Sequence, residues 1–222
     1  MGTKSCDIAI VGAGVFGSWA AYLLQRSGAK VVLLDAYGPA NSRASSGGES
    51  RIIRLGYGPD EIYTRSAKRS LTLWRELFEQ TSSNLFRQTG VLWLARDPDS
   101  YCEATLLTLQ TVGAYYERLT HEDLTNRYPQ LDLGKTTWGI LEPDAGVLMA
   151  RQAVEAVWSA AQREGVTYLQ EAVTPPAIEK RLKFLLTMSG DEIHAETFIF
   201  ACGPWLPKLF PSLLADLFYI TR

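Results

Sequence analysis

The run from Asp7 to Asp35, DIAIVGAGVFGSWAAYLLQRSGAKVVLLD, constrains this chain more than any other stretch, because four signals meet there in one order. Ile8 to Val11 is an apolar run with the character of a buried parallel strand. It leads into Gly12-Ala13-Gly14-Val15-Phe16-Gly17 and then into a helical stretch from Ser18 to Arg26 that stops at Ser27-Gly28. A second apolar run, Val31 to Leu34, ends in an acid, Asp35. Each residue type has a reason to be where it is. Gly12 allows a tight strand-to-helix turn, Gly14 lets backbone amides approach a pyrophosphate, Gly17 permits close helix–strand packing, and Asp35 can accept both hydrogen bonds of a ribose diol. The helix N-terminus adds oriented N–H groups and a positive dipole end. A lone G-x-G-x-x-G says little; with both strands, the helix and the acid in place, the run reads as a dinucleotide site rather than a glycine-rich turn of an unrelated α/β sheet.

Composition sets broader limits. Of 222 residues 46% are hydrophobic and 21% charged, with a formal net charge of −2, which leaves room for one large domain or two small ones. Basic residues neither dominate nor gather in one block, so no nucleic-acid partner is expected. No apolar run approaches the roughly 20 residues that span a bilayer, and no membrane partner is expected. No signal-peptide core precedes the first strand, and although the chain opens Met-Gly, Cys6 stands where myristoylation favours Ser or Thr. Cys6, Cys102 and Cys202 are far apart, make no metal-ligand spacing and suit a reducing compartment, so a cytoplasmic protein without a metal is expected.

Further along, a polar, glycine-rich loop is expected from Tyr37 to Gly58, followed by a helix from Ile62 to Glu79 with Leu71, Trp74, Leu77 and Phe78 at core spacing. Gly90 to Ala95 reads as a strand, Pro98 to Val112 as an amphipathic helix, Tyr115 to Thr120 as extended, and His121 to Arg127 as a short helix. Thr136 to Met149 reads as extended, broken by a structural turn at Glu142-Pro143-Asp144-Ala145-Gly146. Ala150 to Glu164 reads as a helix, Val166 to Leu169 as a strand, Ala177 to Ser189 as strand-like, and Thr197 to Ala201 as a strand running into Cys202-Gly203-Pro204-Trp205. On the bare sequence Tyr57 and Tyr63 read as packing aromatics, His121 and His194 as surface residues, and Cys202 as a small core residue near the cofactor. No Ser-His-Asp set, carboxylate pair or metal cluster stands out, as suits a protein whose cofactor carries the hard chemistry. A long loop, not another βαβ unit, follows Asp35. The expected class is therefore α/β, an FAD-type Rossmann-like module interrupted by an insertion of other character.

Four further motifs stand beside the opening one: SSGGESRIIRLGYG from Ser45 to Gly58, QTGVL from Gln88 to Leu92, EPDAGVL from Glu142 to Leu148, and ACGPW from Ala201 to Trp205. In these the chain resembles the FAD-dependent amine oxidases of the D-amino-acid-oxidase-like superfamily, in the branch of monomeric sarcosine oxidase and N-methyltryptophan oxidase. The resemblance covers essentially all of this chain and the N-terminal half, or slightly more, of such an enzyme; the Ser45-to-Gly58 motif is the most specific. It implies an FAD-binding Rossmann-like module, residues 1–84 and 148–214, interrupted by part of an α+β substrate domain, residues 85–147, with 215–222 the start of a truncated substrate-domain strand.

The resemblance implies roles residue by residue. Gly12, Gly14 and Gly17 match the pyrophosphate turn and Asp35 the ribose acid, while Ser45, Ser46, Arg51 and Ile52 match a loop along the pyrophosphate and flavin of FAD. Val173 matches a position whose backbone meets adenine, and Gly203 and Trp205 lie where the second Rossmann half approaches the cofactor. Arg54 matches an arginine that clamps a substrate carboxylate, with Tyr57 close by; a planar donor fork suits that task. The implied reaction is two-electron oxidation of the C–N bond of an N-alkyl or secondary amino acid, hydrolysis of the imine, and reoxidation of the flavin by O2 or another acceptor. Sarcosine oxidase carries histidines where this chain has Ser46 and Gly47, which leaves the amine open. The chain ends at Thr221-Arg222, before the parts that would bear an oxygen-activating lysine, a flavin-tethering cysteine and a further flavin loop. A partner subunit or missing C-terminal half is accordingly expected, with apolar surface uncovered on Val91, Leu92, Trp93 and Trp138. The alternatives are a nicotinamide-dependent dehydrogenase and a truncated, non-catalytic FAD-binding subunit that needs a partner.

Overall fold

The computed structural model describes residues 2–176 and 181–218. They fall into two compact units, one from the described residues of Met1–Glu49 and Ala150–Arg222, the other Ser50–Met149. The first unit opens with β1 (Thr3–Val11), α1 (Val15–Arg26) and β2 (Val31–Leu34). All of β2 is buried, as an apolar run between two parallel neighbours should be. The helix starts at Val15 and not at Ser18, because Gly14 is already its extended N-cap and the last glycine of the motif lies inside the first turn.

The second unit contains β3 (Arg51–Ile53), α2 (Glu61–Gln80), β4 (Phe86–Arg87), β5 (Val91–Ala95), α3 (Ser100–Val112), β6 (Glu117–Thr120), α4 (His121–Arg127), β7 (Trp138–Glu142) and β8 (Gly146–Leu148). These strands form two antiparallel sheets, ordered β3-β8-β4 and β5-β7-β6. Strand β3 interrupts what reads as a continuous loop from Tyr37 to Gly58, because it pairs with the distant β8, with Arg51 opposite Leu148. The apolar stripe of α2 is buried as its spacing dictates, and Leu71 joins Leu55, Cys102, Leu109, Trp138 and Ile140 in one core. Residues 50–84 therefore belong with the second unit, and the division falls after Glu49 rather than after residue 84. Val91, Leu92 and Trp93 are half-buried, but Trp138, also expected to be bare, is 4% exposed beneath the Arg118 guanidinium at 4.6 Å; the exposed apolar residue of this strand is Leu94, at 47%.

The chain then returns to the first unit with α5 (Ala150–Arg163), β9 (Thr167–Leu169), β10 (Phe184–Leu186) and β11 (Glu192–Phe200). A 3-10 turn at Gly203–Trp205, α6 (Leu206–Leu209) and α7 (Pro211–Leu214) follow. The sheet order is β10-β11-β1-β2-β9, with β11, β1, β2 and β9 parallel and β10 antiparallel at the edge. Helices α1 and α5 pack together. Where the chain leaves and re-enters this unit, the Ala150 amide donates to the Glu49 carbonyl at 2.9 Å and Arg151 pairs with the Glu49 carboxylate. Ala215 to Leu217 form a turn where a strand was expected to start; residues 219–222 of that expectation, and 177–180 of the expected strand from Ala177, lie outside the described residues. No helix among the described residues is long and apolar enough to cross a membrane.

Candidate cofactor cavity and arginine site

Strand β1 delivers the glycine turn to the carboxyl end of the parallel sheet, next to the end of β11. Val11 pairs with Phe200, and the Ala201 amide donates to the Val11 carbonyl at 2.7 Å. Gly12 has φ +105, and a Cβ there would run into the Ala201 carbonyl, so both conformation and contact require glycine. A Cβ on Gly17 would strike the Gly12 carbonyl; its absence lets α1 close onto the turn. Gly14 is different: its φ is −71 and a Cβ would only touch Ser46 Oγ at 3.4 Å, so neither conformation nor packing requires glycine there.

A cavity of about 460 Å³ opens over this turn, a volume typical of small-molecule sites. Gly12, Gly14, Asp35, Ser45, Ser46, Val173, Gly203 and Trp205 all line it, while Gly17 stands behind the wall. Segments far apart in sequence are thus brought to one place. Ser46 Oγ accepts from the Val15 amide at 3.2 Å, fastening the loop to the start of α1. Val173 forms an antiparallel bridge with Thr187. The hydrogen bonds of that bridge run from Thr174 to Leu186 and from Met188 to Ala172, which turns Val173's own N–H and C=O away from the partner strand. Tyr37, Asn41, Lys208 and Leu209 also line the cavity and were not singled out by the sequence. Asn41 had a signal: an Asn in a polar loop that caps its own backbone, here accepting from the Arg43 and Ala44 amides. Tyr37 lies under the Arg43 guanidinium at 4.3 Å and 6.2 Å from Trp205.

Asp35 carries more structural work than the sequence suggests. Its Oδ2 accepts from the Ala13 amide at 2.8 Å, and its Oδ1 from Tyr37 and Gly38 at 2.8 and 2.9 Å. A carboxylate offers about four acceptor positions, so one remains for a ribose hydroxyl rather than the two of a full diol clamp. Cys202 Sγ lies 3.4 Å from the Val11 carbonyl; burial first, and the Asp35 charge second, push this thiol up to about 12, so it stays protonated. Among the described residues no group of three or more His, Cys, Asp or Glu is placed to hold a metal ion.

Arg51, Ile52, Arg54 and Tyr57 belong to the second unit, on β3 and the loop that follows it. Arg51 and Ile52 are exposed, Ile52 at 65%. The Arg54 guanidinium lies 5.0 Å from the ring centres of both Tyr57 and Trp93, and among the described residues no carboxylate pairs with it. Arg51 and Ile52 also occupy β3 positions opposite Leu148 and Val147.

A parallel sheet with a glycine turn, a helix N-terminus and an acid on one cavity defines a dinucleotide-binding α/β protein. Residues 7–220 match the DAO family, described as FAD dependent oxidoreductase, and the chain belongs to that family. It is 30% identical over 209 residues to monomeric sarcosine oxidase of Bacillus sp. (strain NS-129), covering 93% of this chain and 54% of that protein. It is 28% identical to N-methyl-L-tryptophan oxidase of Salmonella heidelberg (strain SL476), over 93% of this chain and 56% of that protein. Among solved structures, NikD, an unusual amino acid oxidase essential for nikkomycin biosynthesis, matches in its open form with a TM-score of 0.77 and 27% identity, over 95% of this chain and 54% of that one. The chain spans about half the length of the relatives it matches.

Proposed function

We propose that this chain provides the FAD-binding part, and the substrate-carboxylate arginine, of a flavin-dependent oxidase acting on the C–N bond of an N-alkyl or secondary amino acid. The convergence of Gly12, Gly14, Asp35, Val173 and Gly203 on one cavity carries the reading. The residues fit the cofactor: a glycine cradle, α1 N–H groups for the pyrophosphate, one free acceptor position on Asp35 for the ribose, and outward-turned Val173 backbone for adenine. Ser45, Ser46, Arg51 and Ile52 would flank the cofactor, with Gly203 and Trp205 at the closing turn. Bound FAD supplies a two-electron acceptor for the amine. The chain's own residues orient: Arg54 holds the substrate carboxylate with its donor fork, and Tyr57 borders it. O2 as acceptor, a cytoplasmic location and completion of the active site by a further polypeptide belong to the same reading.

The test is FAD titration of the chain, followed by turnover of N-methyl amino acids with peroxide as readout, alone and with the C-terminal half of a sarcosine oxidase added. Weak flavin binding without turnover, improved by the added half, is expected. Isoalloxazine absorbance absent under every condition, with nicotinamide cofactor bound instead, would sink it.

A further inference from the structure

Glu142 ends β7 and is wholly buried, although it stands in a segment that reads as a plain turn. Its two carboxylate oxygens accept three N–H groups. Oε2 takes the Leu55 amide at 2.5 Å; Oε1 takes the Gly56 amide at 3.1 Å and the Trp93 indole N–H at 2.5 Å. Leu55 and Gly56 directly follow Arg54, and Trp93 is one of the two rings on which the Arg54 guanidinium rests. One buried group therefore fixes both the backbone that carries this arginine and the surface it lies on. The fit is tight: a Cβ on Gly56 would come 2.9 Å from Glu142 Oε1 and 2.6 Å from Thr105 Cγ2. The far end of the same loop is tied separately, with the Gly58 amide donating to Thr105 Oγ1 at 3.0 Å and the Gly58 carbonyl accepting from Thr108 Oγ1 at 2.7 Å.

We infer that Glu142 is a positioning residue that holds the Arg54 donor fork in one orientation for a carboxylate. The inference rests on the reading of Arg54 given above. A long cationic side chain ordinarily loses considerable rotamer freedom when it binds, and a clamp made beforehand removes that loss from the binding step. Glu142 does not touch the guanidinium; by accepting from the indole and from the two amides it fixes the ring beneath the guanidinium and the backbone from which the side chain extends. Glutamine is the informative replacement. Whichever way its amide points, an NH2 group meets an N–H that previously met an oxygen, so one side of the clamp opens while size is kept.

The experiment uses the labelled 222-residue chain and NMR, because Tyr57 and Trp93 impose ring-current displacements on the Arg54 side-chain protons. In Glu142→Gln those displacements should fall by about half or more, and the Trp93 indole N–H signal should move upfield, with β1 and β2 amides unchanged. Trp93→Phe, which keeps a ring and loses the N–H, should loosen Arg54 while the Leu55 and Gly56 amides stay protected from exchange. Displacements unchanged in both variants would overturn the inference. In a second arm, Glu142→Gln should weaken binding of N-methyl amino acids about tenfold and leave a carboxylate-free N-methylamine unaffected. Equal weakening for both ligands would reduce Glu142 to a fold residue and overturn it. Arg54→Lys separates the two readings. Unchanged carboxylate discrimination there refutes the assignment of Arg54 itself. Discrimination lost in Arg54→Lys but kept in Glu142→Gln refutes only the positioning role.

Discussion

In the first unit the cavity is built over backbone features: the turn that begins at Gly12, the opening amides of α1 and the outward-turned Val173 peptide. In the second unit the group of interest is a side chain, Arg54, set against two aromatic rings and, through one of them, Trp93, and the backbone that follows it, held by a carboxylate 87 residues from Leu55. The difference decides how each site tolerates change. A backbone cradle fails when a Cβ is added, because steric exclusion has no alternative partner. A side-chain clamp fails when an acceptor is removed, because buried N–H groups have lost water as well as their partner.

The largest expected effect is at the clamp. Glu142→Ala strands two buried amides and the half-buried Trp93 indole N–H and should cost roughly 3–5 kcal/mol, visible in urea unfolding and as faster amide exchange at Leu55 and Gly56. A loss below about 1 kcal/mol would break the comparison, since the loop would then be holding itself. Gly12→Ala comes next. Strain at φ +105 alone should cost roughly 1–3 kcal/mol, and the Ala201 carbonyl adds to it. Gly14→Ala sharpens the contrast, because its Cβ meets only Ser46 Oγ at 3.4 Å. It should leave the unfolding midpoint nearly unmoved and still weaken FAD in a flavin-fluorescence titration; a large stability loss would show that Gly14 too is needed by the fold.

Asp35→Ala should weaken FAD by about 1–3 kcal/mol and also lower stability, since the Ala13, Tyr37 and Gly38 amides lose their acceptor. Unchanged affinity with lowered stability would leave Asp35 a purely structural residue. Last comes a dependence on pH that vanishes near neutrality. Burial, then the Asp35 charge, raise both Cys202 and Tyr168 to about 12. In the unfolded chain a thiol releases its proton near ~8.5 and a phenol near ~10, so above those values the folded state holds more protons. Stability should therefore fall as pH rises from about 8.5 toward 12, and Cys202→Ser should flatten the fall. A urea midpoint that climbed across this range would reverse the sign of the argument.

The glycine motif, the two flanking strands and Asp35 were legible because turn geometry and strand burial act between neighbours in the chain. The α2 stripe was legible for the same reason: its period is a local property, and Leu71, Trp74, Leu77 and Phe78 are buried as their spacing requires. Strand β3 was not legible, since Arg51-Ile52-Ile53 is extended only by pairing with β8 nearly a hundred residues on. The early division after Glu49 was missed with it. Trp138 looked like stranded apolar surface and is covered by Arg118 from β6, a cross-strand contact no spacing announces. The sequence by itself thus determined where the glycine turn would lie, because that turn is a short run of small residues between two apolar ones. Only the tertiary structure decided that Asp35 is already committed to three amides and that Glu142 lies beneath the Arg54 loop. Both are matters of which distant donors a buried carboxylate meets, and a lone acid in a sequence carries no mark of its partners.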